Sequence, residues 1–254
     1  MLNKIGFTLL AIFCIQSVVY CIEDDSLKRK TEFGFALGGD YCYRSLTTNA
    51  NEFTTADFYI NRRQFGEIRK FGLGIEVTIS KPLGTRFNLI SGIHFRERGF
   101  LRKEAFWSDL SGVSFIGLAD VNYQLSFIGI PVKLEYIKNY NRFSFFANGG
   151  VGLEYLVRNK MKVDIDFYNS ETKATEIFER GERIVPWYPA ELEQNANKFM
   201  LTGLLELGIA ISLSDRANLR LAPNASYSIS SLLPTPINER LWSVGFKAGI
   251  YFKF

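Results

Sequence analysis

The sequence predicts an all-β chain, a transmembrane antiparallel up-and-down β-barrel of eight strands, with ten as the alternative count. Three observations carry this. An apolar N-terminal run is followed by acidic residues, apolar and small or polar residues alternate with period two through the rest of the chain, and the links between alternating segments are short and long in turn. Composition agrees: among 254 residues there are 23 Phe, 12 Tyr and 21 Gly but a single His, a mix suited to strands and turns. The charge balance, 30 Lys and Arg against 26 Asp and Glu, gives +4 and is scattered along the chain, which excludes an electrostatic claim on nucleic acid.

Taken in order, Lys4 is followed by an apolar run from Ile5 to Tyr20 and then by Glu23, Asp24 and Asp25. This is the layout of a cleaved signal peptide over 1–21, with a mature domain over 22–254. The run is about 15 to 17 residues long, short of the roughly 20 that a spanning helix needs. Cys21 has a second reading as an acylated lipoprotein residue, against which Tyr20 stands. With the signal removed, Cys42 is the one certain thiol, so no disulfide framework and no Cys-based metal site is expected.

The first strand alternates Phe33, Phe35, Leu37 and Tyr41 with Gly34, Ala36, Gly38 and Asp40. In the second, Phe71, Leu73, Ile75, Val77 and Ile79 oppose Gly72, Gly74, Glu76, Thr78 and Ser80, and in the third Phe87, Leu89, Ile93 and Phe95 oppose Asn88, Gly92, His94 and Arg96. The fourth sets Ile128, Ile130, Val132, Leu134 and Tyr136 against Gly129, Pro131, Lys133 and Glu135, and the fifth runs from Phe143 to Tyr155 with Asn148, Gly150, Gly152 and Glu154 on its polar face. Phe199 to Ile211, Leu219 to Ile229 and Val244 to Phe254 complete the set. The smaller face is rich in glycine, serine and isolated charges of both signs, which suits a narrow lumen with lipid on the other side. In lipid an open sheet edge would leave backbone groups unsatisfied, so closure is required.

The links agree. Tight turns fall at 81–85, 139–141 and 214–216, and long links at 44–66, 101–120, 158–197 and 231–239. Short periplasmic turns and long extracellular loops place both chain ends in the periplasm. Tyr41, Tyr43, Tyr136, Tyr155, Tyr227, Trp242 and Phe252 supply aromatic girdles. In the third long link, Met161 to Phe167 alternates and Glu179-Arg-Gly-Glu182 offers a turn, which suggests an extra hairpin above the membrane or a route to ten strands.

The inward phase collects Glu76, His94, Arg96, Lys133, Glu135, Glu154, Glu206, Arg220 and Lys247, read as a lumenal charge network whose members pair across strands. His94 is the single usual acid–base residue, with Glu76, Glu135 or Glu154 as its carboxylate partner, and it supports either a satisfied lumenal histidine or a lipid-modifying or proteolytic site. No catalytic residue, cofactor site or metal site is assigned, because no calcium-loop spacing and no phosphate-binding glycine loop occurs. Pro186, Trp187 and Tyr188 form an aromatic and proline patch suited to partner binding or to loop packing. Tyr251, Phe252 and Phe254 form a C-terminal aromatic strand end, read as an assembly signal.

The run from Tyr123 to Tyr136, Tyr-Gln-Leu-Ser-Phe-Ile-Gly-Ile-Pro-Val-Lys-Leu-Glu-Tyr, and the terminal Phe254 resemble the PorT-like outer-membrane β-barrel family of Bacteroidetes-type bacteria. The glycine-rich strand from Phe146 to Tyr155 follows in the same order as in that family, while the link at 158–197 is long for it. The resemblance implies an eight-stranded barrel in a Gram-negative outer membrane and no single activity. The expectation is therefore a non-enzymatic outer-membrane barrel with a partner-binding or structural role in the cell envelope, with a possible link to a secretion assembly. Its partners would be outer-membrane lipid and lipopolysaccharide, the barrel-assembly machinery and an envelope or secretion-system protein. The alternatives are a narrow channel or hydrophobic-ligand transporter, and a lipid-modifying enzyme using His94.

Overall fold

Alternation with a period of two puts successive side chains on opposite faces of a strand, so each stretch above has one apolar and one polar edge to satisfy. In the computed structural model, which describes residues 30–48, 66–108, 115–167, 173–178, 197–232 and 237–254, these stretches form one antiparallel sheet. Its strands are β1 (Glu32–Thr48), β2 (Glu67–Pro82), β3 (Phe87–Ser108), β4 (Phe115–Asn139), β5 (Phe143–Phe167), β6 (Lys173–Phe178), β7 (Phe199–Ser214), β8 (Ala217–Ser228) and β9 (Ile237–Lys253). Neighbours in the chain are neighbours in the sheet, except that β7 pairs with β5 and not with β6, which pairs with β5 alone. The first strand meets the last along its whole length, from Glu32 against Lys253 to Thr48 against Ile237. The wall thus closes through β1 to β5 and β7 to β9, eight strands in all, and β6 stands outside the ring.

The polarity of the wall is that of a membrane barrel. Leu73 is 59% exposed, Ile130 52%, Leu207 54% and Phe246 50%, whereas Glu76 is 3% exposed, Lys133 1% and Glu154 0%. On β9 the outward row runs from Phe254 through Phe252, Ile250, Ala248, Phe246 and Val244 to Trp242. At ~3.4 Å per residue and a tilt of ~40° this row covers about 30 Å, the thickness of a bilayer's hydrocarbon core. Tyr43 stacks on Trp242 with ring centroids 4.2 Å apart, Tyr41 meets Phe71 edge-on at 5.6 Å, and Tyr155 meets Phe199 at 5.1 Å, a girdle at the end of the wall away from the short turns.

Two details depart from simple alternation. On β4 the apolar residues are even-numbered from Ile128 to Tyr136 but odd-numbered at Val121, Tyr123 and Leu125. No residue is inserted on β4, so the apolar row crosses from the lipid side to the inside there, leaving Asn122 and Gln124 on the outer face. On β5 Val157 is the extra residue of a bulge, since Phe127 pairs with Leu156 and Ser126 with Arg158. Above it the odd positions of β5 register with the inward odd positions of β4, as Asn159 does with Leu125 and Val163 with Val121. The lipid-facing pattern ends at this level.

The links expected at 44–66, 101–120 and 158–197 are therefore shorter than alternation in the lipid-facing sense suggests, because β1 continues to Thr48, β3 to Ser108, β4 begins at Phe115 and β5 continues to Phe167. The extra hairpin exists but turns elsewhere: Asp166 registers with Lys173, so the link is 168–172 and not Glu179 to Glu182, which lie outside the described residues. β6 adds to the top of β5, where β7 has not yet begun, and so does not enlarge the barrel to ten strands.

An outward mid-wall charge tests this reading. Ile130→Lys is expected to cost about 2 to 4 kcal/mol of folding stability in lipid vesicles, measured by denaturant unfolding. No loss would show that the exposed face does not meet hydrocarbon.

Candidate functional site in the barrel lumen

An eight-stranded barrel leaves an interior that side chains just fill. Charges placed there lose their hydration and must find each other, because a buried unpaired ion is costly. The inward residues of all eight wall strands meet this demand in tiers.

Nearest the short turns, Arg220 on β8 donates from Nη1 to Glu135 Oε2 and from Nη2 to Glu32 Oε2, both at 2.5 Å. Asn88 Nδ2 donates to the other Glu135 oxygen at 2.5 Å, and the Tyr251 ring lies 4.2 Å from the Arg220 guanidinium carbon. A Cβ at Gly34 would collide with that ring, so glycine on β1 makes its space. Beside this tier Ile137, Phe146, Ala210 and Ala222 form a buried apolar cluster.

In the middle, two lysines are held between two glutamates. Lys133 Nζ bonds Glu76 and lies 3.0 Å from Glu206 Oε1, while Lys247 Nζ donates to Glu76 Oε2 at 2.6 Å and Glu206 Oε1 at 2.5 Å. Asn148 Nδ2 donates to Glu206 Oε2 at 2.9 Å, and Arg96 approaches Glu76 at 3.8 Å. A cavity of about 10 Å3 beside Arg96 and Asp40 has room for about one water.

In the next tier Glu154 accepts two bonds from Arg98, at 2.9 and 3.0 Å, and one from Thr202 Oγ1 at 2.6 Å; His94 Nε2 lies 3.0 Å from it. The imidazole fits because its neighbours on β4 and β5 are Gly129 and Gly152; a Cβ at Gly129 would come within 2.7 Å of Nε2. Asp40 accepts from Asn224 Nδ2 at 2.9 Å and from Ser243 Oγ at 3.4 Å.

Toward the mouth the lumen closes with an apolar plug of Leu125, Phe127, Leu156, Met200, Leu232 and Leu241. Arg44 lies at the same end, 2.6 Å from Glu67 and 3.3 Å from Glu239, with its guanidinium carbon 3.7 Å from the Phe100 ring centre. Burial pushes the Glu67 carboxyl up from its ordinary range against the pull of Arg44. Burial also opposes the Arg44 charge, but Glu239 and Glu67 outweigh it and raise the guanidinium.

All nine residues expected in the charge network are buried in the lumen, divided among three tiers. Glu154 is the His94 partner; Glu135 instead serves Arg220, and Glu76 serves the lysines. Arg98, Glu32, Asp40 and Tyr251 join the network although they are not among its nine expected members: Arg98 lies beyond the expected end of its strand and Glu32 just before one, while Asp40 has the inward phase that alternation gives it and Tyr251 belongs to the expected assembly signal. Cys42 is fully buried, packed as a small side chain with Sγ 3.9 Å from the carbonyl oxygens of Asp40 and Glu97. Of the C-terminal aromatics, Tyr251 points into the lumen while Phe252 and Phe254 face outward. Pro186, Trp187 and Tyr188, and the signal segment 1–21, lie outside the described residues. Among the described residues no three metal-ligating side chains gather.

No protein-family model matches the chain, and no curated protein matches its sequence. Comparison with solved structures finds distant likenesses. Ail, the attachment invasion locus protein of Yersinia pestis, is 11% identical over 87% of this chain and 99% of its own, with a TM-score of 0.34. Neisserial surface protein A is 10% identical over 87% of this chain and 97% of its own, at 0.38. The outer-membrane protease OmpT of Escherichia coli is 8% identical over 91% of this chain and 99% of its own, at 0.42. Likeness at this distance carries nothing about activity, and these three proteins include a protease.

Breaking the central quartet separates buried pairs from exposed ones. Lys133→Met leaves two buried carboxylates with one lysine fewer and is expected to destabilise the barrel by about 3 to 5 kcal/mol. Lys162→Met removes the exposed Lys162–Asp164 pair and should cost less than about 1 kcal/mol. Urea unfolding of both variants in the same detergent measures the difference.

Proposed function

We propose that this chain is a non-enzymatic outer-membrane barrel of the PorT-like type, exported by its signal peptide. Its ends and short turns lie in the periplasm, and its outward loops bind a partner in the cell envelope, such as a component of a secretion assembly. The observation that carries this reading is the filled lumen. Tiered ion pairs between two apolar clusters leave no path for a solute, and His94 is enclosed with Glu154 where a substrate cannot reach it. What remains available is the end of the barrel where β3, β4 and β5 rise past the girdle and β6 extends them. The chain between β6 and β7, which starts from that end of the wall, includes Pro186, Trp187 and Tyr188. The PorT-like assignment rests on the run from Tyr123 to Tyr136.

Capture from intact membranes tests the binding role. A photoreactive side chain at Trp187 is expected to cross-link one envelope protein, whereas the same group at Tyr140, in a short turn, should not capture it. Equal capture at both ends, or none at Trp187, overturns the proposal.

Phe254 tests the assembly signal. Ile250, Phe252 and Phe254 continue the lipid-facing row of β9, and the proposal is that the assembly machinery grips this aromatic stretch of the strand. Deleting Phe254 should cut membrane yield in cells severalfold. Refolding into detergent should barely change, because Phe254 is 74% exposed and burying a whole aromatic side chain is worth only ~1.5 to 3 kcal/mol. Normal cellular yield without Phe254 would refute the signal.

A further inference from the structure

The lipid-facing wall is not uniformly covered. On β2 and β4 every outward position in the band is large, as with Phe71, Leu73 and Ile75 or Ile128, Ile130 and Val132. Across β7, β8 and β9 it is notched. Gly203 registers with Tyr227, Leu205 with Ala225, Ala225 with Val244 and Tyr227 with Trp242. These residues line an open groove of about 630 Å3, within the ~300 to 1,000 Å3 usual for small-molecule sites. A Cβ added at Gly203 would meet no atom closer than 3.7 Å, so the hollow exists because a side chain is missing and no neighbour fills it.

The lip of the groove is cationic. Arg240 occupies the next outward position beyond Trp242 on β9, at the end of the apolar row. Its Nη1 donates to Tyr227 Oη at 3.1 Å, and its guanidinium carbon lies 5.9 Å from that ring's centre. Its Nε is buried and has no hydrogen-bond partner. The neighbouring Glu239 points inward to Arg44, so it does not neutralise Arg240. The buried Nε cannot reach a ligand, but the guanidinium is anchored on the aromatic wall of an apolar groove and its two terminal nitrogens carry more donors than the one bond to Tyr227 uses, an arrangement suited to a phosphate.

We propose that this groove binds a phosphorylated, acylated glycolipid of the outer leaflet, with an acyl chain over Gly203 and Ala225 and a phosphate on Arg240. In a bilayer an apolar hollow must be covered, and acyl chains are the material at hand. A second barrel would need a protruding row to fill a concave notch, and it would leave the Arg240 charge in a protein contact. The groove lies at the end of the hydrocarbon band away from the short turns, which is the outer leaflet in the orientation proposed above. The inference rests on that orientation.

Trp242 reports directly on the site. In the full chain with Trp107→Phe and Trp187→Phe it is the one remaining tryptophan of three. Folded into vesicles of phosphatidylcholine brominated on its acyl chains, it should be quenched. Adding a few mole percent of unbrominated, phosphate-bearing lipid A should restore its emission. Arg240→Gln should require about tenfold more lipid A, and Gly203→Leu, which fills the hollow, should abolish the effect while folding is confirmed by heat-dependent gel mobility. Equal restoration by dephosphorylated lipid A or by phosphatidylglycerol overturns the proposal. So does restoration that follows protein concentration instead of lipid A, which would make a second copy the occupant. A chain that never inserts into vesicles defeats the membrane reading itself, a failure distinct from insertion without lipid A preference.

Discussion

The ion-pair quartet of Glu76, Glu206, Lys133 and Lys247 is the contact on which the rest of the structure depends. Its members come from β2, β7, β4 and β9, so the bonds run across the barrel and tie opposite walls together. Each lysine touches both carboxylates, so removing either carboxylate would leave two buried cations sharing one anion, with a charge uncompensated. In a lumen closed by side chains such a stranded charge costs several kcal/mol. A slip of any of these strands by one residue would move its charge into lipid and its apolar row into the lumen. The quartet therefore fixes the register of four wall strands at once, and the tiers beside it do the same for β1, β3, β5 and β8 through Glu32, Arg98, Glu154 and Arg220.

The second constraint is the backbone in hydrocarbon, where every N–H and C=O needs a partner in the sheet. Pairing of β1 with β9 over their full length meets it. Beyond the girdle water can serve the backbone, and there the chain is freer: β3, β4 and β5 outgrow their neighbours, a bulge at Val157 re-aims β5, and β6 adds to one edge. These irregularities fall where a lost ladder bond is cheap.

Most of the wall was legible because lipid outside and charge inside give alternation its strongest contrast. Glu76, Lys133, Glu135 and Glu154 could be phased from their own strands, since Ile75, Leu134 and Leu153 beside them are plainly lipid-facing. Which carboxylate meets which cation was not legible, for it depends on strand stagger around the ring and not on spacing along the chain. Arg98 was lost because its strand stops looking lipid-facing after Arg96; near the mouth the outward neighbours become Glu97 and Gln124, and period two persists with the apolar sense reversed. Phe127, Leu156, Met200 and Leu241 were hidden for a related reason. An apolar residue on the inward phase breaks the pattern by which the inward phase is recognised. The inversion on β4 at Phe127 is nevertheless visible in the sequence as a change of apolar parity, once the possibility of a boundary there is considered.

That same contrast explains why the lumen is charged when an apolar core could fill it as densely. A barrel apolar on both faces would have no means of telling its inside from its outside, and alternative registers would differ little in energy. Charges that are tolerable in one place only make the wrong face prohibitive. Satisfying them leaves little of the interior free: the carboxylate of Glu154 is engaged by His94, Arg98 and Thr202, and both lysines of the quartet are shared. An interior so occupied with specifying the fold is poorly placed to move a solute or a proton as well. Variation that leaves the register undisturbed falls instead on the lipid-facing wall and on the links beyond the girdle, which is where the proposed contacts lie.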